Sequence, residues 1–329
     1  MSLAHPAAAV PKHRRSLPLR VGTRASPLAL WQTRDFLDRV TRFCPVLRDA
    51  KAFEEHQLIT SGDRIQDRKL AEIGGKGLFA KEIHEALLDR RVDFAVHSLK
   101  DLETEMPPGI VLACTLKRED ARDVLLPGPS LPPCDTADPF AVLPQGAVIG
   151  TSSVRRQSQL LHRRPDLQVV MFRGNVQTRL RKLAEGAAAA TLLALAGLRR
   201  LGLEPAGSVA IDPEIMVPAA GQGIVGVTVR ADDTELHELL AAIEDPEARA
   251  VSSAERALLA ALDGSCRTPI GGHACMLPDG RLRLTGLVAR ADGSFLLKRS
   301  EAADAADAIR LGEELGRALR RDSPADLFA

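Results

Sequence analysis

Short apolar runs alternate with amphipathic stretches along most of this chain, and the two periods separate its elements. Apolar runs at 19–22, 92–97, 110–115, 188–193 and 224–229 predict strands buried on both faces, the pattern of a parallel sheet covered by helices. Between them, helical spacing of apolar residues predicts helices over 27–40, 79–88, 233–243 and 246–262. The first is opened by Ser26-Pro27, a capping residue followed by proline at the first helical position, and is expected to present Leu28, Trp31 and Phe36 or Leu37 to a core. In the helix over 246–262, Glu255 and Arg256 are expected on or beside the polar face. Alternation returns near the end, where 273–277, 281–289 and 295–300 read as antiparallel strands and 304–320 as a helix on one side of them. The expected class is an α/β body of two domains around a cleft, plus a small α+β C-terminal domain with a three-stranded antiparallel sheet. Residues 41–56 predict an irregular loop leading into a second strand, and the proline-rich segment 126–146 predicts a surface excursion without fixed architecture.

The stretch 147–186 contains two successive units of strand, polar turn and arginine-bearing helix. The first has a strand at 147–149, a turn at 151–153 and a helix over 154–163 with Arg155 and Arg156 in its opening turn. The second has a strand at 167–172, the turn Arg173-Gly174-Asn175, and a helix from Val176 carrying Arg179. Arginines at a helix N-terminus face the positive end of the helix and its unpaired N–H groups, which is unfavourable without an anion. An anionic partner removes that conflict by accepting from both kinds of donor. The bland alternative is a solvated charged surface.

Composition narrows the partners. A chain of 329 residues exceeds one compact core. Its net charge of +1, with 44 basic and 43 acidic residues, rules out bulk attraction to nucleic acid, so anion recognition has to be local. Aromatic residues make up 3% and tyrosine is absent, which also weakens any base-stacking surface. No run is long enough to cross a membrane. Residues 1–17 place Pro6 and Pro11 ahead of a basic cluster, the reverse of a secretory signal, and predict a disordered extension. Five cysteines, without metal-ligand spacing, point to a reduced, cytoplasmic setting with no structural zinc.

Several residues stand where chemistry is expected. Arg24 lies at the first strand-to-helix junction, with a surface-loop arginine as the plain alternative. Ser98, Lys100 and Asp101 follow the strand at 92–97. Asp101 there can take a proton or stabilise a cation, and Lys100 can hold an acid group; the plain alternative for Asp101 is a helix cap. His97 is expected to be an oriented hydrogen-bonding side chain. Gly74-Gly75-Lys76-Gly77 lacks the spacing and the hydroxyl residue of a nucleotide loop, so Lys76 reads as part of a mobile loop. Arg199 and Arg200 are weaker anion candidates, and Gly221 and Gly223 suggest a tight reversal where the chain returns to the first domain. Cys44 and Cys275 read as small apolar side chains and Cys134 as an exposed, dispensable one. Cys266, in Asp263-Gly264-Ser265-Cys266-Arg267-Thr268-Pro269, is the thiol best placed for exposure, with Arg267 favouring the thiolate.

The motifs TRASPLALWQ, GGKGLF, AVHSLKD, GTSSVRRQ, FRGNVQTRL, PAAGQG and DGSCRTPIG, in this order from about Leu19 onward, resemble those of the porphobilinogen deaminase (hydroxymethylbilane synthase) family. The resemblance implies two periplasmic-binding-protein-like α/β domains around a cleft, at 18–116 with 218–243 and at 117–217, and a cofactor-bearing third domain at 244–329. It implies a dipyrromethane cofactor bound to Cys266 through a thioether. Four porphobilinogen molecules would be condensed onto it head to tail with release of ammonia, and water would then free the linear tetrapyrrole. By the same resemblance Asp101 is the main catalytic carboxylate, assisted by Lys100 and Arg24. Ser153, Arg155, Arg156 and Arg173, together with Asp101 and Lys100, would hold the cofactor. Arg24, Ser98, Arg155, Arg173 and Arg179 would meet the substrate. No metal and no nucleotide is implied, and a monomer is expected. Two other classes fit parts of the pattern: a reversible anion-binding protein, which needs no modified cysteine, and a cysteine hydrolase, which needs a histidine beside Cys266.

Overall fold

The structure, a computed structural model, describes residues 17–65, 77–134, 137–262 and 269–328. The expectations for residues 1–16, Lys76 and Cys266 lie outside the described residues. Among the described residues no helix is long and apolar enough to cross a membrane.

Three sheets organise the chain. The first contains β1 (Leu19–Arg24), β2 (Phe53–Leu58), β3 (Phe94–Ser98), β4 (Ile110–Thr115) and β10 (Val225–Arg230), in the order β2-β1-β3-β10-β4. The second contains β5 (Asp123–Pro127), β6 (Val148–Gly150), β7 (Gln168–Val170), β8 (Ala190–Ala194) and β9 (Val209–Ala210), in the order β7-β6-β8-β5-β9. The two orders are the same arrangement used twice. In each sheet the first three strands to pair are parallel, and a strand delivered by a crossing segment runs antiparallel between the last two. Those inserted strands are β5 and β10, so each crossing between the lobes ends inside a sheet and not at its edge.

The first helix, α1 (Pro27–Phe43), is capped by the Ser26 hydroxyl, which accepts from the Ala29 N–H at 3.3 Å. It buries Phe36 and Val40 against Val21, Phe94 and Val227. Trp31 is 37% exposed, contrary to the expectation of a core position, and lies under the Arg200 guanidinium at 5.8 Å. The residues after Phe43 form a four-residue helical turn, Val46–Asp49, in place of part of the expected irregular loop, and then β2, the expected second strand. α2 (Lys81–Leu88) begins two residues later than its apolar pattern suggested.

Two further expectations are overturned. The proline-rich segment is not an unanchored excursion: Phe140 and Leu143 are buried in one core with Leu125, Ile149, Leu160 and Leu192, and Cys134 packs against it. β5, which runs into the start of this segment, was not anticipated, because it is short and ends at Pro127. Glu255 is not on a polar face. It lies on α7 (Pro246–Ala261), which follows α3 (Val154–Arg163), α4 (Val176–Ala184), α5 (Leu195–Leu201) and α6 (Thr234–Ala241), and it is 0% exposed.

The third sheet, β11 (Ile270–Met276), β12 (Arg281–Ala289) and β13 (Leu296–Asp304), is antiparallel and is covered by α7 and α8 (Ala308–Arg321). The two helices touch at Gly312 and Gly316. A side-chain carbon at Gly312 would lie 2.3 Å from the Ala254 carbonyl oxygen, so the close approach outweighs the roughly 1 kcal/mol that glycine costs a helix.

Glu255 joins this third unit to both crossings. Its carboxylate accepts from Arg118 at 2.7 Å, from the Gly221 N–H at 2.6 Å and from the Ala274 N–H at 2.7 Å. A buried charge is tolerated when it is paired and its remaining lone pairs are satisfied, and both conditions hold here. Glu255→Gln is therefore expected to lower stability by about 3–5 kcal/mol, because it strands a mostly buried Arg118. Replacing both residues by leucine should recover part of that loss. Thermal unfolding checks this, and an unchanged midpoint for Glu255→Gln would show that the pair does not join the units.

Candidate active site

A cleft of about 630 Å³ lies between the two α/β lobes, with the third unit at one end. The ends of β1 and β3 supply one wall, and the turns after β6 and β7, with the helix starts that follow them, supply the other. This is the expected place for a ligand in sheets whose parallel strands point the same way. Arg24, Ser98, Lys100, Asp101, Ser153, Arg155, Arg156, Arg173, Arg179 and Arg200 all line it.

The turn Leu99–Asp101 puts Lys100 and Asp101 forward by burying its flanks. Leu99 and Leu102 join a core shared with α7 and α8, and the Leu99 N–H donates to the Ile224 carbonyl at 3.0 Å. Asp101 faces Arg24, whose Nη1 is 3.3 Å from its carboxylate. The other side of the Arg24 guanidinium grips Asp63 at 3.1 and 2.5 Å, and its face covers the Phe79 ring at 4.2 Å. Burial alone disfavours the Arg24 charge. The Asp63 hydrogen bonds and the Asp101 charge outweigh it, and the arginine pKa moves up. Asp63 is likewise penalised by burial but is held below the usual carboxylate range by Arg24 and Thr60.

Lys100 reaches the Gln222 Oε1 at 3.2 Å and is open to the solvent of the cleft. Desolvation by the surrounding protein and the Arg156 charge pull its pKa down to about 8 against the opposing pull of Asp101 and Asp123. Ser98 exchanges hydrogen bonds with the Gln32 amide at 3.0 Å, and the Ser153 hydroxyl caps α3 by accepting from the Arg156 N–H at 3.4 Å.

The arginines divide into two groups. Arg155 and Arg156 are each 5% exposed and share the carboxylate of Asp123, which is 0% exposed. Arg155 reaches it at 2.6 Å, and Arg156 at 3.0 and 2.8 Å; both also donate to backbone carbonyls, of Val217 and Leu192 respectively. Burial works against the Asp123 charge, but the two guanidiniums more than reverse it and hold its pKa far below the ordinary value. The anion that relieves the helix N-terminus of α3 is thus supplied by the chain itself.

Among the described residues, Arg173 and Arg179 have no such partner. Arg173 crosses the cleft to donate to the carbonyls of Gly62 at 3.2 Å and Ile65 at 2.5 Å, and its Nε is buried without a hydrogen-bond partner among the described residues. Arg179 bonds to the Gly174 carbonyl at 3.0 Å. Desolvation, with repulsion from Arg156 and Arg173, lowers its pKa to about 10. The buried Ser152 hydroxyl on the same wall is also unpartnered among the described residues. The cleft lining includes seven lysine and arginine side chains against the carboxylates of Asp63, Asp101 and Glu103, so it is built to receive negative charge.

Sequence reasoning brought the cationic residues together but missed their internal partners. Asp63 carried one readable signal, its place three residues after Thr60, and the two do form a reciprocal cap. Asp123 and Gln222 carried none, since their partners are distant in sequence.

A two-lobed α/β protein with a cationic cleft, a carboxylate placed forward in it and a third unit packed behind the turn that carries this carboxylate has the make-up of a protein for anionic ligands. Residues 19–238 match the family profile described as porphobilinogen deaminase, dipyromethane cofactor binding domain, and residues 250–321 match that of the porphobilinogen deaminase C-terminal domain. The chain is 49% identical over 313 residues to a porphobilinogen deaminase of Paracoccus denitrificans, covering 94% of this chain and 96% of that one. It is 43% identical over 312 residues to a chloroplastic porphobilinogen deaminase of Oryza sativa subsp. japonica, covering 94% and 85%. Among solved structures, an arginine transport periplasmic binding protein from Legionella pneumophila superposes with a TM-score of 0.39 at 16% identity, covering 69% of this chain and 92% of that one. At that score the superposition adds nothing to the topology described above. This chain belongs to the porphobilinogen deaminase family, enzymes of tetrapyrrole biosynthesis that form hydroxymethylbilane.

The Asp123 cluster generates a prediction. A carboxylate with a depressed folded pKa contributes stability that is fully present above its unfolded value, about 3.9, and lost as pH falls through the folded value. Asp123→Asn should therefore cost about 3–5 kcal/mol at pH 7 and much less near pH 2, which chemical unfolding at the two pH values measures.

Proposed function

We propose that this cleft condenses four porphobilinogen molecules head to tail into hydroxymethylbilane, releasing four ammonia molecules, with water freeing the product from a dipyrromethane held through a thioether to Cys266. The observation that supports it most is Asp101 facing Arg24 in a cleft whose remaining cations exceed its carboxylates. The donor set suits the cofactor and the substrate alike: both carry acetate and propionate groups, and the Arg173 Nε and Ser152 hydroxyl, which have no partner among the described residues, are donors for them. When bound, dipyrromethane supplies the free pyrrole carbon to which the first substrate unit is joined.

In this reading Asp101 holds the pyrrole N–H through its carboxylate oxygens and stabilises the positive charge that develops as porphobilinogen loses ammonia. Arg24 orients Asp101 and meets a substrate acid group. Lys100, Ser153, Arg155, Arg156 and Arg173 hold cofactor carboxylates, while Ser98, Arg173 and Arg179 serve the incoming unit, with Arg155 reaching both. Guanidinium forks fix the direction of a carboxylate as well as its charge, so the rings are aligned before reaction and the entropic part of the barrier falls. The units at 18–116 with 218–243, 117–217 and 244–329 act as the functional bodies. The enzyme works as a cytoplasmic monomer, without metal or nucleic acid.

Intact mass measurement of the purified protein should show an added dipyrromethane that is absent from Cys266→Ser. A fully active protein with an unmodified cysteine would reject the tethered mechanism, and a reversible binder would show neither adduct nor turnover. Asp101→Ala should keep the adduct yet lose about 2–4 orders of magnitude in tetrapyrrole formation, the range for removing a general acid or base. Near-normal turnover would remove Asp101 from its role.

A further inference from the structure

Gln222 lies on the returning crossing, in the PAAGQG segment whose glycines explain only its turns. It is 1% exposed, and each of its side-chain polar atoms has a partner. Its Nε2 donates to the Ala121 carbonyl at 2.7 Å and to the Asp123 carboxylate at 2.9 Å, while its Oε1 accepts from the Lys100 ammonium at 3.2 Å. Its backbone carbonyl accepts from Arg118 Nε at 2.8 Å, and Arg118 is in turn fixed by Glu255. The two acceptors on the Nε2 side settle which way the amide points, because reversing it would set its oxygen against a carbonyl and a carboxylate. Its neighbour Gly223, at φ 88°, fixes the backbone: a side-chain carbon there would lie 2.2 Å from the Glu119 carbonyl oxygen of the outgoing crossing.

We infer that Gln222 is a positioning residue that holds the Lys100 ammonium at the cleft wall and keeps it protonated, by presenting an acceptor whose own position is locked to Asp123. The inference rests on the proposed role of Lys100 in holding carboxylates. The other charges facing Lys100 are Asp101 beside it and Asp123, Arg155 and Arg156 across the crossing. Asp123 is already saturated by the two arginines and Gln222, so it is not free to approach Lys100. Gln222 is thus the neutral link through which the second lobe's buried anion fixes a cation of the first. A crossing that changed its angle would carry this acceptor with it.

The sign follows from the chemistry. An acceptor to the ammonium favours the charged form, so removing it lowers a pKa that stands at about 8, and Lys100 becomes neutral at a lower pH. Gln222→Met keeps the length and volume of the side chain and removes both polar ends. Gln222→Asn keeps an amide but ends one carbon short of Lys100, and serves if the methionine variant does not fold. The full-length holoenzyme is labelled by reductive 13C-methylation of its lysines, and the Lys100 signal is assigned by its loss in Lys100→Arg. The expected result is a fall of about one unit in the Lys100 titration in either variant, with the high-pH limb of the turnover profile moving down by the same amount. If Lys100 titration shifts and the turnover profile does not, the positioning inference stands and the proposed role of Lys100 fails. If a folded variant leaves the Lys100 titration where it is in the parent protein, the inference is wrong.

Discussion

Two arginine side chains from one helix start converge on a single carboxylate that has no contact with water, and the arrangement of the lobes depends on that cluster. Asp123 is the first residue of β5, the point at which the chain enters the second sheet. Arg155 and Arg156 belong to the helix that lines the cleft, and Gln222 reaches the same carboxylate from the returning crossing. A buried carboxylate is costly unless its charge and lone pairs are all satisfied. Here they are satisfied only when the outgoing strand, the returning segment and the helix are in register together. The cluster therefore acts as a geometric check on the cleft, whatever its net contribution to stability.

The same logic explains why similar arginines have different fates. Arg155 and Arg156 sit where a strand begins beside them, and the chain neutralises them internally. Arg173 and Arg179 stand on the next helix start, where no carboxylate of the described residues pairs with them, so burial lowers the pKa of both, and among the described residues the Arg173 Nε has no hydrogen-bond partner. Asp123 fixes the first pair in place where it lines the cleft, and the second pair keeps more of its charge open to acid groups. Lys100 lies between the two, held by a neutral amide and not by an ion pair, which leaves its charge responsive to whatever enters the cleft.

Much of the site was legible in the chain. The two strand-turn-helix units carrying Arg155, Arg156, Arg173 and Arg179, and the turn after β3 with Lys100 and Asp101, are local patterns whose spacing places them at strand ends and helix starts. Each was found lining one cleft. What was misjudged follows from longer-range packing. Glu255 read as polar surface because charge marks the solvated side of most helices, whereas Arg118 and two backbone N–H groups make a buried place for it. Segment 126–146 read as loose because its prolines break regular structure, yet irregular backbone can still deliver Phe140 and Leu143 to a core.

Hydrophobic period, caps and turn residues act over a few neighbours, so the sequence alone determined most of the elements, the class of fold and the presence of an anion-seeking wall. It could not determine which partner each cation takes. That depends on residues brought together from far apart: Asp123 to Arg155 across a lobe, Asp63 to Arg24 beside β1, and Gln222 to Lys100 across the return crossing. Electrostatic pairing is set by distance in space and by exclusion of water, and both exist only once the chain has crossed between its lobes and come back.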